Sequence, residues 1–173
     1  GLLVQHPLPG RVSAHYGELS AFRKKNGMQP HSGTDYPAKR GTPFVAVGSG
    51  TIKLIQFSKV LGWVTVQTVW YDKKTWYVGY CHQDKKPDLK VGQQVKQGEI
   101  IGKVGNTGMS SGAHLHMTFS RKLKGVFSVT SDKVDGWKLI EASRPTQKKT
   151  APKKLSVTCP KCGETYYGKP ESN

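Results

Sequence analysis

Alternating apolar and polar positions, broken by glycine-rich turns, run through the first 144 residues. In "HLHMTF", residues 114–119, an extended chain puts His114, His116 and Thr118 on one face and Leu115, Met117 and Phe119 on the other. The runs "TPFVAVGSGTIKLIQF" (42–57), "GWVTVQTVWY" (62–71), "TWYVGYCH" (75–82) and "EIIGKVG" (99–105) read as further strands. Turn signals separate them at Gly48–Gly50, Asp72–Lys73 and Gly105–Asn106. There is no internal repeat, and no segment keeps a helical period long enough to predict a helix. The pattern predicts an all-β domain, built as a compact antiparallel sheet that folds over or closes like a barrel.

The pattern stops at Arg144. Residues 145–154, "PTQKKTAPKK", have no apolar periodicity and read as a solvated Lys/Pro linker. Residues 155–173 form a short tail around Cys159 and Cys162, a CxxC that resembles half of a zinc ribbon. That tail is expected to be either a partial zinc-ribbon-like element, with a second metal at Cys159/Cys162, or disordered. Cys81, the third cysteine, reads as a small buried hydrophobe. Length allows one domain (1–144) with a good core plus this tail.

Charge changes the picture more than composition does. The chain carries 27 Lys+Arg against 11 Asp+Glu, a formal charge of +16, which points to a polyanionic partner such as nucleic acid, a membrane surface or an anionic cell wall. No apolar run is long enough to span a bilayer, so no transmembrane segment is expected. The start, "GLLVQHPLPG", shows no charged region followed by an apolar one, so no signal peptide is expected there.

The histidines decide between partners. His31 stands four residues before Asp35 in "HSGTDYPA", and Gly33 and Pro37 exclude a helix, so the two must converge through a loop running into a strand. His82 ends an aromatic strand, and His114 and His116 share a strand face. Two histidines and a carboxylate are the ligand set that zinc enzymes use when they keep a position open for water.

The blocks "HSGTDYPA", "GTPFVAVGSGTI", "YCH" and "VGQQVKQGEIIGKVGNTGMSSGAHLHMTF" resemble, in order and spacing, the M23 family of zinc metallopeptidases, the lysostaphin-like peptidoglycan endopeptidases. The resemblance runs from about Gly10 to Phe119. It implies a compact antiparallel, barrel-sandwich-like β fold with one catalytic Zn2+ in a narrow groove, held by His31, Asp35 and His116. It also implies that His82 and His114 are catalytic partners beside the bound water. His114 is assigned as general base, and His82 as the group that orients water or stabilises the oxyanion. Protonated imidazoles neither ligate nor act as base, so activity is expected to fall below about pH 6.5.

The substrate implied is the stem or cross-link peptide of bacterial peptidoglycan, with the basic surface attracted to anionic wall polymers. A monomer acting at the cell wall is expected. It would wait in the host cytoplasm before release if it is a phage endolysin, or be secreted if a signal has been removed. The basic segment before His31, "ELSAFRKKNGMQP", is expected to wall the groove. His6 and His15 match no functional position of the family.

Three other readings are weaker. A catalytically inactive wall-binding relative would be expected to have lost ligands, and all five site residues are present. A nucleic-acid-binding protein built on the CxxC would leave the histidines unexplained, so nucleic acid is not expected as a partner. "LKVGQQVKQGEIIGKVG" also resembles half of a lipoyl or biotinyl carrier motif, but the lysine context of a carrier is missing.

Overall fold

A computed structural model of the chain describes residues 4–128 and 132–144, together with two short tail strands. Nine strands form the body: β1 (Thr34–Pro37), β2 (Pro43–Val45), β3 (Gly50–Ser58), β4 (Gly62–Tyr71), β5 (Lys74–Gln83), β6 (Gln94–Val95), β7 (Ile100–Lys103), β8 (His114–Ser120) and β9 (Lys133–Val134). Helices α1 (Ala21–Lys25) and α2 (Gly136–Ser143) are short, and a 3-10 turn covers Leu123–Phe127. The tail strands β10 (Ser156–Thr158) and β11 (Thr165–Tyr167) pair antiparallel. Cys159, Cys162 and the linker at 145–154 lie outside the described residues.

One sheet carries the molecule, in the order β1-β8-β5-β4-β3-β6, with β9 also pairing with β8. Every pairing is antiparallel, and β2 and β7 make a separate two-stranded ribbon. This is the all-β, antiparallel class the alternation predicts. The β4–β5 hairpin turns on Asp72 and Lys73, both with positive φ (51° and 57°), as a tight turn that matches strand twist requires.

The apolar face of β8 does what its pattern predicts. Leu115, Met117 and Phe119 are buried with Tyr36, Phe44, Ile52, Val78 and Tyr80 in the main core. Val4 and Leu8 from the N-terminal segment and Ile140 of α2 close it. The ends of the domain are tied by His6 to Glu141 (2.6 Å) and by the Ser143 hydroxyl to the Val4 carbonyl (3.3 Å). A smaller cluster of Val64, Val66, Cys81 and Val126 packs on the other, histidine-bearing side. Cys81 is wholly buried there, which is the packing role expected of it.

The structure differs from the pattern in places. The run 42–57 is two strands, because residues 46–49 turn the chain between β2 and β3. Strands β1, β6 and β9, of four, two and two residues, are too short for an alternation to register. Helix α2 has eight residues and an Asp135 cap accepting from the Lys138 N–H (3.1 Å), a start signal that the periodicity reading passes over.

Candidate active site

Strand pairing assembles the site. Asp35 of β1 lies opposite His116 of β8, and Cys81 of β5 lies opposite His116 on the other side. Residues directly opposite one another share a sheet face, so Asp35 and His116 project together. His31 precedes β1 and is held by its backbone, its N–H donating to the Glu18 carbonyl (2.9 Å) and its carbonyl accepting from Gly17 (2.7 Å). The Asp35 carboxylate then sits between two rings. Its Oδ2 is 3.1 Å from His31 Nε2, and its Oδ1 is 2.8 Å from His116 Nδ1. His114 Nε2 approaches the same Oδ1 at 3.6 Å.

A glycine makes room for this. A Cβ on Gly33 would come within 2.9 Å of His116 Nε2 and Cε1 and closer still to the Met117 carbonyl oxygen. The residue between His31 and Asp35 on the site face therefore has to lack a side chain.

Backbone carbonyls fix the tautomers. His31 Nδ1 faces the His15 carbonyl (3.1 Å), His82 Nδ1 the Thr107 carbonyl (2.7 Å) and His114 Nδ1 the Gly112 carbonyl (2.7 Å). A carbonyl only accepts, so each Nδ1 carries the hydrogen and each Nε2 keeps its lone pair. His82 takes this pose in the left-handed region, at φ 59°, where the β4–β5 register shifts between Trp63 and Thr65. The His82 and His114 ring centres are 5.0 Å apart.

Burial sets the charges. Burial works to raise the Asp35 pKa, but the His116 and His31 rings beside it outweigh that and hold the carboxyl well below its ordinary value. Burial pulls His116 down to about 4, against the opposing pull of Asp35. His82 is also lowered, by burial first. Near neutral pH the Asp35–His116 pair is therefore an ionised carboxylate beside a neutral imidazole, the protonation state a metal requires.

The donor atoms of His31, Asp35 and His116 all lie within 4.8 Å of one another. Bonds of about 2.0 Å in a tetrahedron put donors about 3.3 Å apart, so spacings of 2.8 and 3.1 Å fit a zinc-sized ion with small adjustment. His116 Nε2 is buried without a partner, so among the described residues only Asp35 hydrogen-bonds to that ring. The same three residues could hold a metal, with His82 and His114 beside them.

Sequence reasoning missed what supports these groups. Thr107 holds His82 through its carbonyl, while its hydroxyl donates to the Gln83 carbonyl (2.6 Å) and accepts from Trp63 N–H (3.1 Å). Gly62, at φ 66°, packs directly against Thr107, where a Cβ would clash. His15 contributes its carbonyl to His31, while its ring packs edge-on against Trp137 (5.2 Å). Backbone roles of this kind leave no mark on residue type, and only the "GNTGMSSG" glycines hinted at them. His6 lies apart from the site, bonded to Tyr36 and Glu141.

Comparison with known proteins follows the same outline. The model of peptidase family M23 matches residues 29–128. The peptidoglycan DD-endopeptidase ShyC of Vibrio cholerae is 33% identical over 110 residues, covering 63% of this chain and 24% of that protein. The catalytic domain of the antimicrobial peptidase lysostaphin from Staphylococcus simulans superposes with a TM-score of 0.63 at 28% identity, covering 76% of this chain and 92% of that domain. A zinc-containing peptidase from Vibrio cholerae gives a TM-score of 0.59 at 25% identity, over 68% of this chain and 36% of the other. This chain spans about a quarter of the length of a curated relative such as ShyC.

Proposed function

The chain belongs to peptidase family M23, and from that premise we propose that it is a zinc-dependent endopeptidase cleaving stem or cross-link peptides of bacterial peptidoglycan, in cell lysis or wall remodelling. One observation supports this reading above the rest. A single carboxylate, Asp35, lies within 3.1 Å of two imidazole nitrogens, while two further histidines are pinned at Nδ1 and keep Nε2 as an acceptor.

In this reading His31, Asp35 and His116 hold the ion. Zinc, when bound, supplies a water whose pKa is lowered to about 7 and polarises the scissile carbonyl. His114 takes the proton of the attacking water at Nε2 and passes it to the leaving amine. Asp35 at 3.6 Å from that nitrogen stabilises the imidazolium formed on the way. His82 is the less suitable base, because its surroundings disfavour the charged ring. Its Nε2 lone pair instead accepts a hydrogen bond and orients the water. The site of action is the cell wall, where a formal charge of +16 would hold the protein on anionic polymers.

The test is digestion of purified peptidoglycans of several cross-link types, with released fragments read by mass spectrometry. New amine and carboxyl termini are expected, and they should vanish with chelator. His31→Ala, Asp35→Ala and His116→Ala should lose both zinc and activity. His114→Ala should keep zinc and lose activity by about 10²–10⁴-fold. Loss of zinc from His114→Ala would overturn the division of roles, and no release from any wall type would overturn the peptidase reading.

A further inference from the structure

His82 sits in a left-handed backbone conformation, φ 59°, that a side chain rarely adopts without outside support. Three anchors supply that support. Its N–H donates to the Leu61 carbonyl (2.7 Å), and its ring Nδ1–H donates to the Thr107 carbonyl (2.7 Å). The carbonyl of the next residue, Gln83, accepts from the Thr107 hydroxyl (2.6 Å). Two of the three anchors are therefore Thr107, acting through backbone and side chain at once.

The side chain matters because of where it stands. Trp63 and Gln83 face one another across β4 and β5, next to the register shift between Trp63 and Thr65. The Thr107 hydroxyl bridges this pair, donating to the Gln83 carbonyl and accepting from Trp63 N–H (3.1 Å). One oxygen thus ties a third segment to both strands at the bulge. A hydroxyl can donate and accept together, and a methyl can do neither. The segment around it has little freedom of its own. Met109 N–H donates to the Val60 carbonyl (2.8 Å), and a Cβ on Gly62 would collide with both the hydroxyl and the carbonyl of Thr107. Backbone therefore lies on backbone here, and the Thr107 carbonyl moves only if its hydroxyl moves too.

We propose that Thr107 is the positioning residue of His82. Its hydroxyl locks the backbone at 107 to the β4–β5 bulge, fixes the carbonyl that holds the His82 ring, and so aims His82 Nε2 into the site. This deepens the peptidase reading and rests on the role given there to His82. The His82 ring centre lies 5.0 Å from that of His114 and 5.9 Å from that of His116. A small tilt of the ring would move its Nε2 relative to both. No hydrogen bond among the described residues joins Thr107 to His31, Asp35 or His116. Loss of the hydroxyl should therefore appear in turnover and leave the metal in place.

The test compares the full zinc-loaded chain with Thr107→Val, which removes the hydroxyl at similar size, and with Thr107→Ser, which keeps it. Proton NMR in water reads the His82 Nδ1–H, assigned by its absence from His82→Ala. That signal is expected in the parent, lost or broadened in Thr107→Val, and restored in Thr107→Ser. On the cross-linked peptide that wall digestion identifies, Thr107→Val should lower kcat about 10–100-fold, the scale of a misplaced catalytic group. KM and zinc content should hold, and Thr107→Ser should recover the rate. In a His82→Ala background Thr107→Val should change kcat by less than about twofold, since a residue acting only through His82 has nothing left to place. An unchanged ring signal in Thr107→Val would overturn the proposal, as would loss of zinc or a kcat deficit repeated in the His82→Ala background. Thr107→Ala carries the same comparisons if Thr107→Val does not fold. Failure of the peptidase reading stays distinguishable: if the unsubstituted enzyme digests no wall, the ring signal still decides whether Thr107 places His82. A lost signal with undiminished kcat would support the positioning and overturn the role given to His82.

Discussion

Asp35 is the residue to which the other site groups are fitted. It meets His31, His116 and His114 at once, and the His116 and His31 rings beside it keep it ionised. The space for that arrangement is set by Gly33. Gly33→Ala should push on the His116 ring and the Met117 carbonyl and lower zinc affinity about 10–100-fold, read by competition with a chromogenic chelator. Unchanged affinity would mean that the ring can shift at no cost. At the core, Tyr80 accepts from Val47 N–H (3.0 Å) and donates to Gln67, and burial holds its phenol well above the ordinary value. The folded pKa is raised, so the unfolded chain loses its proton first, and stability should fall as pH rises past about 10. Tyr80→Phe should cost about 1–3 kcal/mol at pH 7 by orphaning its partners, and its deficit should shrink above pH 10 in denaturant titrations. Spacing and resemblance single out His31, Asp35, His82, His114 and His116, and the structure brings these five together. Their supports were not legible in the sequence, because Thr107, His15 and Gly112 act through carbonyls that every residue carries.

Among the elements, β8 does the most with the least sequence. Its odd positions fill the core, and its even positions carry His114, His116 and Thr118. That division was readable because seven residues are enough for alternation to show. Strand β1 was not readable as a strand, being four residues long and ending in proline, yet it delivers Asp35 to His116 through pairing that only the fold reveals. The bulge that places His82 was equally hidden, since a positive φ at a histidine has no residue-type signal. The loop before His31 behaves as a separate unit. Helix α1 buries nothing, Phe22 is 69 % exposed, and the loop closes at a neck where Gly17, Glu18 and His31 exchange backbone hydrogen bonds. Replacing residues 19–30 by a short turn across that neck should therefore move the melting temperature by only a few degrees and leave zinc content intact. It should change which wall types are digested, because exposed Phe22 and Met28 stand on the chain that leads into His31. Loss of zinc would show that the loop stabilises the ligand rather than the substrate.

For the whole molecule, charge is what the sheet and the site do not explain. Of the +16, residues 145–173 hold six lysines and two glutamates, a net +4, so +12 belongs to residues 1–144. The compact body, where few cations sit in ion pairs among the described residues, is thus the main source of the field. A field of this kind raises the local concentration of enzyme on an anionic wall without touching the chemistry at Asp35. The two effects should separate with salt. Between about 0.1 and 1 M, the Debye length falls from about 10 to about 3 Å. Sedimentation with purified walls should then show binding falling severalfold, whereas turnover of a short uncharged peptide should change little. If both fall together, the charges act at the catalytic groove itself, and the wall attraction assigned to the body belongs instead to substrate recognition.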